Sequence, residues 1–164
     1  YDPCEEGWDI LLEAKGKYEA DDELFPVSDI LEINGLDDTL WSLRCLPEYD
    51  NLWRKFAWWC ANEVVSNASD PVLQQCLDTA WKYSEGQATD EELRLARASA
   101  RCELKTPNYA VYYASHCEAC KAVYYVALYA ADAAELEDYA ARKAVRNAQS
   151  IKLKEILDAG VFVK

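Results

Sequence analysis

The sequence predicts an all-α protein, a compact bundle of about seven helices with Ala/Tyr-rich central helices toward the C-terminus. Three observations lead there. The 164 residues hold only five Gly and five Pro, too few for a turn-rich β sandwich or barrel. Apolar residues recur at helical spacing, and the stretches start and stop at caps. The one strand-like stretch is the short tail Val161–Val163. The length fits a single domain over 1–164, with an acidic short-helix part at 1–47 and a bundle core at 48–164. Apolar residues make up 51% of the chain, with six Trp and eleven Tyr, which is ample material for a core and excludes intrinsic disorder.

The first helix is expected to start at Asp2-Pro3, a cap followed by proline at the first helical position. Trp8, Ile10, Leu11 and Leu12 share one broad side of it. Asp2, Glu5, Glu6, Asp9 and Glu13 fall on the other, within an arc of roughly 100°. Lys15-Gly16-Lys17 closes the helix, and Tyr18–Phe25 is an acidic connector holding Asp21-Asp22-Glu23. Pro26-Val27-Ser28 opens a short helix over Asp29–Ile33, ended by Asn34-Gly35. Asp37–Leu46 reads as another, with Leu40, Trp41 and Leu43 inward and Pro47 as its stop.

A strong helix follows from Tyr49 to about Val65. Its apolar arc includes Leu52, Trp53, Phe56, Cys60 and Val64; the opposite arc holds Asn51, Arg54, Lys55, Asn62 and, out of phase, Trp58. Ser69-Asp70-Pro71 starts the next, with Leu73, Cys76, Leu77, Ala80 and Trp81 as its stripe and Gly86 as its end. Thr89 and Glu92 form a capping box for a helix carrying Leu93, Ala96, Ala100 and Leu104, which stops before Pro107. Asn108 to about Ala130 is apolar nearly all round, the signature of a buried central helix. A last helix covers roughly Ala133–Asp158, with Ala141, Val145, Ala148, Ile151 and Ile156 among its buried positions.

Thirty acidic residues against seventeen basic ones give a net charge of −13. The surplus is uneven: residues 1–56 carry −10, residues 57–107 carry −3, and residues 108–164 are neutral. Such a surplus repels nucleic acid and anionic membranes and attracts basic partners. The longest charge-free apolar run near the chain's centre, Ala122–Ala131, is about half a membrane span, so a soluble, cytoplasmic protein is expected.

Catalytic signals are sparse. A single His excludes two-His zinc motifs, and there is no P-loop, G-x-G-x-x-G, G-x-S-x-G or EF-hand loop. No cofactor and no enzymatic activity are expected. The seven cysteines mostly fall inside helical patterns and read as small buried hydrophobes of a reducing compartment. The most metal-like group is His116, Cys117 and Cys120, but zinc needs about four ligands and no second C-x-x-C exists. Placed mid-helix, the three converge only in part. Arg94, Arg97 and Arg101 share a helix side and suit pairing with Glu91 or Asp90 better than phosphate contact.

The acidic residues Glu5, Glu6, Asp9 and Glu13, with Asp21, Asp22 and Glu23, are the best interaction candidate. Carboxylate rows on a rigid helix imitate phosphate spacing and compete for a nucleic-acid groove, while the same charge also serves solubility. Trp58 is a candidate anchor if exposed, or a core residue if a neighbouring element covers it.

Cys4-Glu5-Glu6-Gly7-Trp8 opens a longer pattern. An inward Trp follows in Asp37–Leu43, then an aromatic, Cys-bearing helix over Phe56–Val65. Val72–Ala100 comes next, including Gly86-Gln87-Ala88-Thr89 and the capping box, and Ala/Tyr helices lead to Arg142–Leu157. This order resembles a group of phage- and prophage-encoded alanine-rich helical proteins, some labelled immunity proteins. The chain departs from it at Lys105-Thr106-Pro107 and in its acidity. The resemblance carries no catalytic motif. With the acidity, it implies a phage-type inhibitor that binds a basic nucleic-acid-handling protein, such as a CRISPR effector nuclease. The alternatives are a structural, assembly or immunity-like binding module and, third, a metal- or Cys-dependent enzyme.

Overall fold

A computed structural model describes residues 4–65, 70–102, 108–114, 116, 118–135 and 139–162. These residues form α1 (Glu5–Ala14), α2 (Val27–Ile33), α3 (Leu36–Ser42), α4 (Asp50–Val65) and α5 (Pro71–Ser84). The remaining helices are α6 (Asp90–Cys102), α7 (Asn108–Ala114), α8 (Ala119–Glu135) and α9 (Tyr139–Ala159). Two 3₁₀ turns, Leu43–Cys45 and Pro47–Tyr49, join α3 to α4. The all-α class holds, and among the described residues there is no strand and no helix long and apolar enough to cross a membrane. Val161 and Phe162 are irregular, and Val163 lies outside the described residues.

Local signals set most boundaries. The Asp70 carboxylate accepts the Val72 backbone N–H at 2.8 Å, which caps α5. At α6 the capping box closes in both directions. The Thr89 N–H donates to Glu92 Oε2 at 2.7 Å, and the Glu92 N–H donates to Thr89 Oγ1 at 3.2 Å. Gly35 and Gly86 take φ of 86° and 70°, which lets the chain turn after α2 and α5 without a Cβ clash. The first helix differs from expectation. Its cap is Cys4, whose Sγ accepts the Gly7 N–H at 3.3 Å; Asp2 and Pro3 lie outside the described residues. Its inward side is also narrower, because Ile10 is exposed.

The core is organised around α4, which packs on α5, α7 and α8. The single apolar arc expected for it is a misreading: Arg54 and Trp58, on its supposed solvent side, are both buried. α5 and α7 cover that side, so α4 is enclosed almost all round. The Arg54 guanidinium lies over the Tyr83 ring of α5, 4.8 Å from its centroid. Its Nη1 donates to the His116 carbonyl at 2.8 Å. Trp58 packs on Trp81, with ring centroids 4.7 Å apart, and Phe162 meets Trp81 edge-on at 6.0 Å.

The long helix expected from Asn108 to Ala130 is two helices. α7 ends at Ala114 and α8 starts at Ala119. The His116 N–H still bonds to the Tyr113 carbonyl at 2.9 Å, but the carbonyl of His116 turns to Arg54 and leaves the helical ladder. α7 folds back on α8 through tyrosines: Tyr113 stacks on Tyr125 at 4.7 Å and on Tyr129 at 5.3 Å. Among the described residues the last helix runs from Tyr139 to Ala159 and packs against α8. Its buried seam is Gln149, Leu153 and Ile156, whereas Ala148 and Ile151 are exposed. Gln149 is buried without cost because its Nε2 donates to the Ala127 carbonyl of α8 at 2.9 Å and Arg146 donates to its Oε1.

Replacing Arg54 by Ala removes a charge-assisted hydrogen bond, a ring contact and the packing of a buried stem. The variant is expected to lose about 2–4 kcal/mol of stability. Urea unfolding followed by circular dichroism measures it. A loss under about 0.5 kcal/mol, the range of a surface substitution, contradicts this role.

Candidate functional site

The N-terminal layer is built on a close approach of α1 to the α2–α3 turn. Gly7 is buried, and Asn34 Nδ2 donates to its carbonyl at 2.7 Å and to Asp38 Oδ2 at 2.8 Å. A Cβ at residue 7 would collide with Asp38 Oδ2 and stand 2.9 Å from Cys4 Sγ, so a larger residue there would have to displace these side chains and the Asn34 contacts beside them. Lys15, at the C-terminal end of α1, forms an ion pair with Asp29 of α2. With that face anchored, Glu5, Glu6, Asp9 and Glu13 all project from the exposed side.

The acidic residues of this layer fall into two groups. Asp29, Glu32 and Asp37 are tied into the fold by Lys15, Lys154 and Arg146. Glu5, Glu6, Asp9 and Glu13 have no ion-pair partner among the described residues. The connector divides similarly. Asp21 and Glu23 close on Lys17 Nζ at 2.8 and 2.7 Å, and Asp22 stays exposed. The hydrogen bond to Lys17 holds the Asp21 carboxyl below its ordinary range, and the same contacts raise Lys17. The carboxylates of α1 are thus exposed, while two of the three in the connector are paired with Lys17.

Trp58 is not part of it. At 9% exposure it is a core residue packed on Trp81, far from the role of a surface anchor. The His116–Cys120 group is also placed differently from expectation. It spans the break between α7 and α8 and is not mid-helix; Cys117 and the Cys120 side chain lie outside the described residues. His116 Nδ1 accepts the Glu118 N–H at 3.0 Å, so the ring helps to cap the start of α8. Burial and the nearby Arg97 lower its pKa. Among the described residues no group of three or more His, Cys, Asp or Glu comes together as a metal site. Cys60 is buried in the core, and burial pushes its thiol pKa up, away from the reactive thiolate.

Sequence reasoning missed one feature, a cleft of about 830 Å³ between α1, α2, α3 and α8. Leu11 and Trp8 form one wall, Val27 and Ile30 a second, and Trp41 and Leu46 a third, with Tyr124 of α8 beyond them. Its polar groups include Glu5, Asp37, Asp38 and Asn34. α2 explains why it stays open: despite its four aliphatic residues, none of its positions is buried. No single-helix periodicity reveals the space between helices.

The His116 contact carries a pH signature. Its folded-state pKa lies below the ordinary value of about 6.5, so the folded protein binds fewer protons than the unfolded chain. This term leaves stability intact above about pH 6.5 and lowers it as pH falls through the folded-state value. Protonation at Nδ1 also removes the acceptor for Glu118. His116→Asn, whose amide oxygen can accept the same bond, is expected to flatten this part of the stability profile. An identical slope in chemical unfolding between pH 7 and 5 would contradict the assignment.

Comparison of the chain with protein-family models, with curated proteins and with solved structures gives no match.

Proposed function

We propose that this protein acts by binding, without catalysis, and that the exposed carboxylate row of α1 engages a basic protein. The observation that carries the reading is the contrast within the N-terminal layer. Asp29, Glu32 and Asp37 are matched by Lys15, Lys154 and Arg146, while Glu5, Glu6, Asp9 and Glu13 project together with no such match among the described residues. Asp22 extends the same surface. Unmatched like charges on one helix repel each other at i,i+4 spacing, so they cost the isolated protein stability and gain it back against a cationic surface. Rows of carboxylates suit a groove shaped for phosphates, and the partner class is a basic, nucleic-acid-handling protein. A CRISPR effector nuclease, blocked in the host cytoplasm, is the instance the phage-protein resemblance suggests. No direct binding of nucleic acid or membrane is proposed, given the net charge of −13.

A second reading, a module that self-associates, draws on the partly exposed tyrosines of α7 and α8, Tyr109 among them. Trp58 gives it no support because it is buried.

Affinity capture from a bacterial lysate with the wild type and with Glu5→Lys/Glu6→Lys/Asp9→Lys separates these readings. The wild type is expected to retain basic nucleic-acid-binding proteins at low salt. It should release them at about 1 M salt, where the Debye length is about 3 Å. The triple variant should retain none of them. Capture of the same proteins by both forms would sink the acidic-surface reading.

A further inference from the structure

The cleft beneath α1 has a chemistry that selects its occupant. Its volume, about 830 Å³, is that of a pocket for a drug-sized molecule and several times that of one side chain. Its walls are apolar and aromatic, with Trp8, Phe25, Trp41 and Tyr124 on different sides. Among the described residues lining it, three are carboxylates, Glu5, Asp37 and Asp38, and none is Lys, Arg or His. Arg146 offsets Asp37 from outside, which leaves Glu5 and Asp38 as the negative charges facing no cation among the described residues. Arg44 lies 4.3 Å from the Trp41 ring and Lys15 lies 5.4 Å from Phe25, but neither cation lines the cleft.

Asn34 sharpens the sign. Its amide nitrogen faces two acceptors, the Gly7 carbonyl and Asp38 Oδ2, which fixes the orientation of the group. Its Oδ1 is shielded from solvent and accepts no hydrogen bond among the described residues. Asn34 therefore offers the cleft no donor, and the field inside it is set by the carboxylates of Glu5, which is exposed, and Asp38, which is half-buried. Anions are repelled, and neutral ligands leave the field unanswered. A cation with an apolar body satisfies both the charge and the walls, because aromatic faces also attract cations.

We propose that this cleft binds a small organic cation, an ammonium or guanidinium carried on an aromatic or aliphatic body. The cleft shares Glu5 with the carboxylate row of α1, but the rest of its lining is separate, and its test uses no protein partner.

The test titrates the full chain with dansylcadaverine, an alkylammonium on an aromatic body, and with its carboxylate counterpart, dansyl-6-aminohexanoate. Dansyl emission sensitised by tryptophan reads binding. Saturable binding of the amine is expected, with the carboxylate at least about tenfold weaker. Trp41→Ala should weaken the amine by about tenfold, a change no diffuse attraction to surface charge would show. Asp38→Asn should do the same. Because Asp38 also holds Asn34, Glu5→Gln serves as the second charge variant, at a position whose side chain is exposed. Circular dichroism confirms that each variant is folded. No saturable amine binding, equal affinity for the two probes, or amine binding unmoved by Trp41→Ala would each overturn the proposal.

Discussion

The buried guanidinium of Arg54 is the contact on which the helical core closes. A charged side chain removed from water costs several kcal/mol unless its donors are satisfied. Here one donor meets the His116 carbonyl and the cation lies over Tyr83. Three segments are therefore tied to one side chain: α4, which carries it, α5, which supplies the ring, and the junction of α7 with α8, which supplies the carbonyl. The junction depends on the bond in turn. A carbonyl that leaves the helical ladder needs another donor, and Arg54 provides it. With the chain turned there, α7 folds along α8 and the tyrosines of the two helices stack.

The N-terminal layer obeys different physics. α2 buries no residue and α1 only Gly7 and Leu11, so apolar packing holds these two helices less firmly than it holds α3 or α4. Ion pairs do part of that work, from Lys15 to Asp29 within the layer and from α9 through Arg146 and Lys154. Exposed pairs of this kind contribute little each, about 0–1 kcal/mol. The layer can thus keep an open apolar cleft and an unmatched carboxylate row at the same place. Both are unfavourable in isolation, and both become favourable when something of opposite character covers them.

Much of the fold was legible because its signals are local. Asp70-Pro71, the Thr89–Glu92 box, Asn34-Gly35 and Gly86 each act over a few residues, and each sits where the sequence places it. The errors occur where a distant partner decides. Arg54 and Trp58 looked solvent-facing because periodicity reports one face of a helix, and α4 is enclosed by several. The break after Ala114 has no glycine or proline to announce it; a bond from a residue 62 positions away makes it. Gln149 is buried and Ile151 exposed because the Ala127 carbonyl rewards an amide at that position of α9. The exposed carboxylates of α1 were readable from helical phase alone. The cleft was not, since it belongs to four elements at once.

If α1 carries its charge for a partner, that charge lies outside the forces that hold the fold. Thermal and urea unfolding of Asp9→Asn/Glu13→Gln at low salt tests this most directly. Asp9 repels Glu5 and Glu13 at i,i+4 spacing, and Glu13 lies near the helix C-terminus, where negative charge is disfavoured. The variant is expected to be as stable as the wild type or more so, by up to about 1 kcal/mol, with the gain shrinking as salt rises. A loss of more than about 1 kcal/mol would show instead that these carboxylates hold the fold together.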